Sequence, residues 1–285
     1  MPKRVRKRKQ RKLKKSKVMP FLDSPMLTPM LKGPIHDHHR EGDHLHVSDL
    51  IGKCVRKIAL AHKLGQRVAS EPVFDGQGLT FAMGDAVHDY IRDKIAERHP
   101  DKVYGGWACV CGHHTMVGTH EEALSSGKCK KCRMHATTYI EMTLRDDEIM
   151  VVGNVDLVMR MENGAFYLSE IKSMAKSYWV ELTAIMPAHL IQILFYWFLA
   201  RRNGIKLVDQ VSVLYALKEY SFKSPYKEYI IRPSEHLHRL EDYLEDAEAY
   251  ADYLKGGPLP PRVICPSSSA PAAKKCQVCT ACFNI

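Results

Sequence analysis

Gly153-Asn154-Val155-Asp156, followed past an Asn163-Gly164 turn by Glu170-Ile171-Lys172, is the stretch that decides the fold. Asp156 stands inside the apolar, β-branched run Ile149–Met159, and Glu170 and Lys172 stand inside the next run, Ala165–Ser173. Both runs read as strands, and Asn-Gly between them reads as a hairpin turn. Side chains alternate along a strand, so Glu170 and Lys172 share a face. The hairpin sets that strand beside Asp156, and two carboxylates and a lysine converge at one edge of a sheet. Ionised groups in strands this apolar are costly unless they meet each other or a metal. Glu-x-Lys alone is common and would be an ordinary edge-strand salt bridge; the preceding Asp in its own apolar strand makes the pattern more specific.

That trio suits phosphodiester hydrolysis. The reaction needs a divalent metal to neutralise the phosphate and activate water. Hard oxygen ligands such as Asp156 and Glu170 suit Mg²⁺ or Mn²⁺. Lys172 is placed to orient the attacking water or to stabilise developing charge.

Working outward, folded sequence is expected to begin near Val47. Ser48 is the N-cap expected for a helix running through Cys54 to Leu64, and Gly84–Arg98 reads as a second helix. Residues 105–136 hold four Cys and four His with few large aliphatics, and read as a small metal-stapled insertion. Thr137–Leu144, Val208–Leu217 and Glu228–Ile231 read as further strands, and Pro187–Arg201 as an apolar helix. Leu237, Leu240, Leu244, Ala247, Ala251 and Leu254 recur at steps of three and four, which predicts an amphipathic helix over Glu235–Leu254. Gly256–Ala273 is a Gly/Pro/Ser-rich connector, and the sequence contains no internal repeat.

The net charge of +10 is concentrated at one end. Residues 1–17 hold eleven Lys/Arg and no acid, and without them 31 basic residues face 32 acidic ones. With the Pro/His-rich stretch that follows, residues 1–45 read as a disordered basic arm and linker, suited to nucleic-acid phosphates. The ordinary alternative is a solvated tail that aids solubility. Val18–Leu31 carries Asp23, Pro20, Pro25 and Pro29, so it is no signal-peptide core. Ala184–Ala200 contains Pro187, His189 and Gln192 and is too short and polar to span a bilayer. No membrane association and a cytoplasmic location are therefore expected. Nine cysteines in such a chain argue for metal rather than disulfides.

The cysteines fall into two sets. Cys109-Val110-Cys111-Gly112 and Cys129-Lys130-Lys131-Cys132 lie in the 105–136 insertion. Four thiolates on a short polar segment suit a closed Zn²⁺ site that replaces a missing hydrophobic core. The first pair is Cys-x-Cys rather than Cys-x-x-Cys, which leaves His113 or His114 as a substitute for Cys109. The second set is Cys265, Cys276, Cys279 and Cys282 near the C-terminus, with Cys54 far upstream. Thiolates clustered at steps of three select zinc or an iron–sulfur cluster.

Asp156 with Glu170-x-Lys172 resembles the central motif of the PD-(D/E)xK nucleases. Two further motifs resemble the RecB-like branch: Gly84-Asp85-Ala86-Val87-His88 its Gly-x-x-x-His helix, and Gln192-Ile193-Leu194-Phe195-Tyr196 its Gln-x-x-x-Tyr helix. Alone, His88 would be an ordinary helix histidine, and Gln192 and Tyr196 polar edges of a core helix; their order around the central motif changes that weighing. The resemblance covers roughly residues 47–285 apart from the insertion. It implies an α/β fold with a restriction-endonuclease-like core: a central mixed β-sheet flanked by helices, a small zinc-binding insertion at 105–136 and a C-terminal Cys-rich staple, over a nuclease domain of residues 46–285. It implies that His88, Asp156, Glu170 and the carbonyl of Ile171 bind Mg²⁺ or Mn²⁺, that Lys172 completes the catalytic set, and that Gln192 and Tyr196 contact substrate.

One upstream Cys with a C-terminal trio resembles the iron-staple arrangement of the CRISPR-associated and phage RecB-like exonucleases. The resemblance implies a [4Fe-4S] cluster held by Cys54, Cys276 and Cys282, with Cys265 or Cys279 as the fourth ligand. The family's tail usually has a longer gap before its last Cys, so the short final spacing here is a departure. A C-terminal zinc knuckle without Cys54 is the competing reading. The function implied is a metal-dependent DNA exonuclease acting on single-stranded ends in phage or bacterial recombination or repair, in the host cytoplasm, with recombination or CRISPR-adaptation proteins as partners. A structure-specific endonuclease of the same fold and a non-catalytic, metal-stapled DNA-binding adaptor are the alternatives. No Gly-x-x-x-x-Gly-Lys-[Ser/Thr] loop is present, so no helicase motor is expected.

Overall fold

A computed structural model describes residues 43–52, 54–65, 75–219 and 224–284. Of the basic arm and linker expected at 1–45, residues 1–42 lie outside the described residues. The described residues open with a short strand, β1 (Leu45–His46), and two helices, α1 (Val47–Gly52) and α2 (Val55–Lys63). The single helix expected from Ser48 to Leu64 is thus two. Gly52, a poor helix residue, ends the first, and Cys54 takes the extended conformation of an N-cap, with φ −76° and ψ 111°, before the second.

Helix α3 (Asp75–Arg98) starts nine residues ahead of the expected Gly84. Gly84 is no terminus: a Cβ there would stand 3.3 Å from Ser173 Oγ, so glycine lets the helix lie close against the sheet. Strands β2 (Val103–Ala108) and β3 (Thr115–Thr119), helix α4 (His120–Ser125) and strand β4 (Thr138–Ile140) follow. Then come β5 (Met142–Asp146), β6 (Val151–Val155), β7 (Leu157–Arg160) and β8 (Phe166–Met174). Helices α5 (Lys176–Glu181) and α6 (Pro187–Arg202), strands β9 (Leu207–Leu217) and β10 (Tyr226–Ile231), and helices α7 (Glu241–Leu254), α8 (Pro271–Lys274) and α9 (Cys279–Phe283) complete the order. Residues 233–240 form two 3₁₀ turns, so the helix expected from Glu235 is α-helical only from Glu241.

The fold is mixed α/β. The larger sheet runs β10-β9-β8-β7-β2-β3, with β4 on the free half of β2; β8 and β9 are parallel and the other pairs antiparallel. A smaller sheet runs β1-β6-β5. On one face α6 is buried almost all round: Ile193, Leu194, Phe195, Leu199 and Ala200 pack with Leu168, Val211, Val213 and Tyr215 of the sheet and with Leu50 of α1 and Ala247 of α7. On the other face Ile91 and Ala96 of α3 pack with Leu157, Ile171 and Ala216. The expected turn is present: Gly164 has φ +72°, and Asn163 Oδ1 accepts the Ala165 amide at 3.0 Å.

One stretch joins the two sheets. β6 belongs to the small sheet and β7 to the large one, and Asp156 is the residue between them. Where the strand changes sheets, the β7–β8 ladder ends at the Leu157–Ser169 pair and a cleft opens. Among the described residues no helix is long and apolar enough to cross a membrane.

Candidate active site and cysteine centres

The cleft at the split holds a cavity of about 230 Å³, lined by His46, Val47, Ser48, His88, Glu141, Gly153, Asn154, Asp156, Glu170, Lys172, Gln192 and Tyr196. The structure thus brings together all the residues expected at the site except Ile171, which is buried beside it. Each arrives for a local reason. Asp156 sits at the strand switch. Glu170 and Lys172 come from β8, two apart on one face, and Lys172 Nζ stands 2.6 Å from Glu170 Oε1. Ile171 points to the opposite core but lends its amide, which donates to Asp156 Oδ2 at 2.7 Å. His88, on α3, places Nδ1 3.7 Å from Asp156 Oδ1. Gln192 and Tyr196 lie one turn apart on α6, and Gln192 Nε2 donates to the Tyr196 hydroxyl at 2.8 Å. Gly153 leaves room for that tyrosine: a Cβ on it would stand 2.6 Å from Tyr196 Cε1.

The electrostatics separate the two carboxylates. Asp156 is 7% exposed and Glu170 2%. Burial alone would raise Asp156, but hydrogen bonding and charge from His88, the Lys172 charge and the Ile171 amide hold it below the usual carboxylate range. Glu170 is pushed well above that range, first by burial and then by the neighbouring Asp156, against which Lys172 pulls the other way. Glu170 Oε2 is buried with no hydrogen-bond partner. A buried carboxylate oxygen without a partner is costly unless a cation is to stand there.

Two groups escape sequence reading. Glu141 fills the break between β4 and β5 and lines the cavity. Arg92, 8% exposed, sits one turn after His88 and binds Glu141 Oε1 at 2.6 Å and Asp89 Oδ1 at 2.5 Å. The only signal for Arg92 was its four-residue offset from His88, which puts both on one helix face. Outside the cavity lining, Tyr178 is 67% exposed, while Trp179 is buried under Lys227 Nζ, 4.8 Å from its ring.

Cys109, Cys111, Cys129 and Cys132 form a second centre, with sulfurs all within 4.8 Å of one another, a set that can hold a metal ion. His113 and His114 face elsewhere, onto Cys111 O with Lys131 and onto Ser126. Burial would raise the Cys109 thiol, but hydrogen bonds from Cys111, the His114 amide and Cys129 bring it down to about 6.

Of the remaining cysteines, Cys265 and Cys276 lie near Cys54, and Cys276 and Cys282 pack beside α2. Cys54 heads α2, and the tail packs on that helix through Val278 against Leu60 and Ala61, with Cys276 and Cys282 alongside. Burial raises the Cys54 thiol, and the nearby Cys265 and Cys276 raise it further. Arg56 Nη1 donates to Pro260 O at 2.6 Å, tying helix to tail, and Arg262 Nη2 donates to Cys282 O at 2.6 Å within the tail.

No family model matches the sequence, and no curated protein matches it. Solved structures resemble the chain at low identity. The crystal structure of SSO0001 is 15% identical, with a TM-score of 0.39 over 80% of this chain and 88% of that one. LHK-Exo in complex with dAMP is 12% identical, with a TM-score of 0.43 over 75% of this chain and 92% of that one. A further structure of this alkaline exonuclease, from Laribacter hongkongensis, is 11% identical with the same TM-score of 0.43. The chemistry of the site rests on its own geometry.

Proposed function

We propose that the chain is a Mg²⁺- or Mn²⁺-dependent deoxyribonuclease of the RecB-like PD-(D/E)xK type, working as an exonuclease on single-stranded DNA ends. The observation that carries this reading is the buried, unpartnered Oε2 of Glu170 in a cavity shared with Asp156, His88 and Lys172. Asp156, Glu170, His88 and the Ile171 carbonyl are the residues to hold the metal, a donor set of hard oxygens and one imidazole. When bound, the metal supplies charge neutralisation at the phosphate and an activated water.

The chain's own groups do the rest. Lys172, anchored on Glu170, orients the attacking water and offsets charge at the phosphate. The Ile171 amide holds Asp156 with one oxygen engaged and the other turned toward His88. Gln192 and Tyr196 form a paired polar edge of the cavity and position the strand. The basic residues 1–17 add sequence-independent affinity for phosphates. Cys54, Cys276 and Cys282, with Cys265 or Cys279, hold an iron–sulfur cluster that closes the chain ends and does no chemistry at the cavity. Protein purified without oxygen then carries iron and sulfide, and Cys282→Ala loses both; an iron-free, fully folded wild type would remove this part of the reading.

Digestion of linear and circular single-stranded DNA of equal length, with Mn²⁺ or with EDTA, tests the assignment. Linear DNA is degraded with Mn²⁺ and circular DNA persists. Cutting of the circle would make the chain an endonuclease, and no cutting of either DNA with Mn²⁺ would leave it a DNA-binding adaptor.

A further inference from the structure

The four-cysteine centre and the cavity lie at opposite ends of one pair of strands. Cys109 follows directly on β2, and Glu141 follows directly on β4. The two pair antiparallel: Ala108 with Thr138, Trp107 with Tyr139 and Gly106 with Ile140. Three residues of strand, roughly 10 Å, separate the thiolate end from the cavity end. The other half of β2 pairs with β7, the strand that starts immediately after Asp156.

This ladder is closely packed. A Cβ on Gly105 would stand 2.5 Å from the Tyr139 ring, and one on Gly106 would stand 2.9 Å from Ile140 Cβ. Trp107 stacks on His120 at 4.4 Å, meets Tyr139 edge-on at 5.2 Å and donates to Gly118 O at 3.0 Å. The Arg92 guanidinium lies 5.5 Å over the same Tyr139 ring and holds Glu141. Displacement at the thiolate end has little slack to absorb it before Tyr139, Arg92 and Glu141 move.

At the other end the donor set fits one tetrahedral zinc. Cys109 Sγ is 3.5 Å from Cys111 Sγ, which is 3.7 Å from Cys129 Sγ. Thiolates about 2.3 Å from one zinc stand about 3.8 Å apart. The His114 amide points at Cys109 Sγ at 3.3 Å and the Lys131 amide at Cys129 Sγ at 3.4 Å, donors that suit thiolates. Gly112 and Arg133 follow the second cysteine of each pair with φ +69° and +62°. For arginine that conformation persists only where the surroundings impose it. Exposed Lys128, Lys130, Lys131 and Arg133 offset the negative charge that four thiolates leave around a dication.

We propose that Cys109, Cys111, Cys129 and Cys132 hold one Zn²⁺, and that this ion sets the position of Glu141 in the cavity through the β2–β4 ladder. The zinc is then a positioning element of the site rather than a clasp on a surface loop. The zinc assignment stands independently of the nuclease reading; its effect on cavity metal rests on that reading.

Elemental analysis of the full chain reads the first half: one zinc per chain, lost in Cys132→Ser. No zinc, or zinc retained in both Cys132→Ser and Cys129→Ser, overturns it. A chelator then withdraws zinc from the folded wild type, circular dichroism checks that the fold persists, and hydrogen exchange is followed. Exchange quickens by about tenfold or more at 138–146 and around Arg92 as well as at 109–136; quickening confined to 109–136 overturns the coupling. Should the stripped chain unfold, Cys132→His, which keeps a zinc ligand of different length, takes its place in the same comparison. Mn²⁺ titration separates the two readings. Zinc removal weakens Mn²⁺ binding about fivefold in the wild type and less than about twofold in Glu141→Gln. Equal weakening in both overturns the proposal. A wild type that binds no Mn²⁺ in either state defeats the cavity reading and leaves the hydrogen-exchange result to decide this one.

Discussion

Asp156 reaches across the split between the two sheets to the amide of Ile171, its Oδ2 accepting at 2.7 Å. Its side chain stands where the next rung of the β7–β8 ladder would have been, because Val155 has already left for the smaller sheet. One carboxylate thus closes an open strand edge and presents its other oxygen to the cavity. Asp156→Asn keeps an acceptor for that amide, whereas Asp156→Ala leaves it unpaired. Urea denaturation is expected to show Asp156→Ala less stable than Asp156→Asn by about 1–3 kcal/mol, with both inactive; equal stabilities would remove the structural half of this role.

Glu170 carries the burden of the metal-free site. Burial and Asp156 oppose its charge, and its Oε2 has no partner. Glu170→Gln removes the charge and keeps the shape. Without metal the variant is expected to be more stable than wild type, by on the order of 1 kcal/mol. Mn²⁺ is expected to raise the melting temperature of the wild type only. A variant stabilised by Mn²⁺ as strongly as wild type would dismiss Glu170 as a ligand.

Gly153 is a spacing residue. An added methyl would meet Tyr196 Cε1 at 2.6 Å and Val47 Cγ2 at 3.0 Å, both packed in the core. Gly153→Ala should cost about 1–3 kcal/mol in chemical denaturation and displace Tyr196 from the cavity edge. An unchanged midpoint would mean that the tyrosine yields freely.

His189, which does not line the cavity, gives the molecule a pH dependence of its own. Burial first, and then the Lys172 charge, lowers its imidazole from 6.5 to about 4. The Tyr215 hydroxyl lies 2.9 Å from its Nδ1. The unfolded chain therefore binds the proton more readily than the folded one, and the histidine's contribution is fully present above about 6.5 and lost as pH falls toward about 4. His189→Gln should flatten the fall in stability across that window, read as urea midpoints at a series of pH values. An unchanged slope would place the acid sensitivity elsewhere.

The legible part of this site was its linear chemistry. Asp156, the Asn163-Gly164 turn and Glu170-x-Lys172 follow strand alternation, which the sequence shows directly. Gln192 and Tyr196 follow helix spacing, and both periodicities survive folding. Glu141 and Arg92 were hidden because their roles come from tertiary pairing: Glu141 sits at a strand break that carries no motif, and Arg92 acts through a partner 49 residues away. Gly84 was misread as a helix start because a glycine that lets a helix approach a sheet looks, in sequence, like one that ends a helix. The Ser48–Leu64 segment carried a helical pattern throughout, and its interruption before Cys54 belongs to a cysteine whose neighbours, Cys265 and Cys276, come from the far end of the chain.

In the proposed reaction the cavity hydrolyses DNA with Lys172 as its positively charged group. This is tested most directly with linear single-stranded DNA labelled at its 5′ or 3′ end, incubated with anaerobically purified wild type or Lys172→Ala in Mn²⁺ or EDTA. Wild type is expected to show Mn²⁺-dependent loss of nucleotides from one end, with the substitution lowering the rate by about 10²-fold or more while Mn²⁺ still binds. Equal digestion by both proteins, or digestion that persists in EDTA, would contradict this.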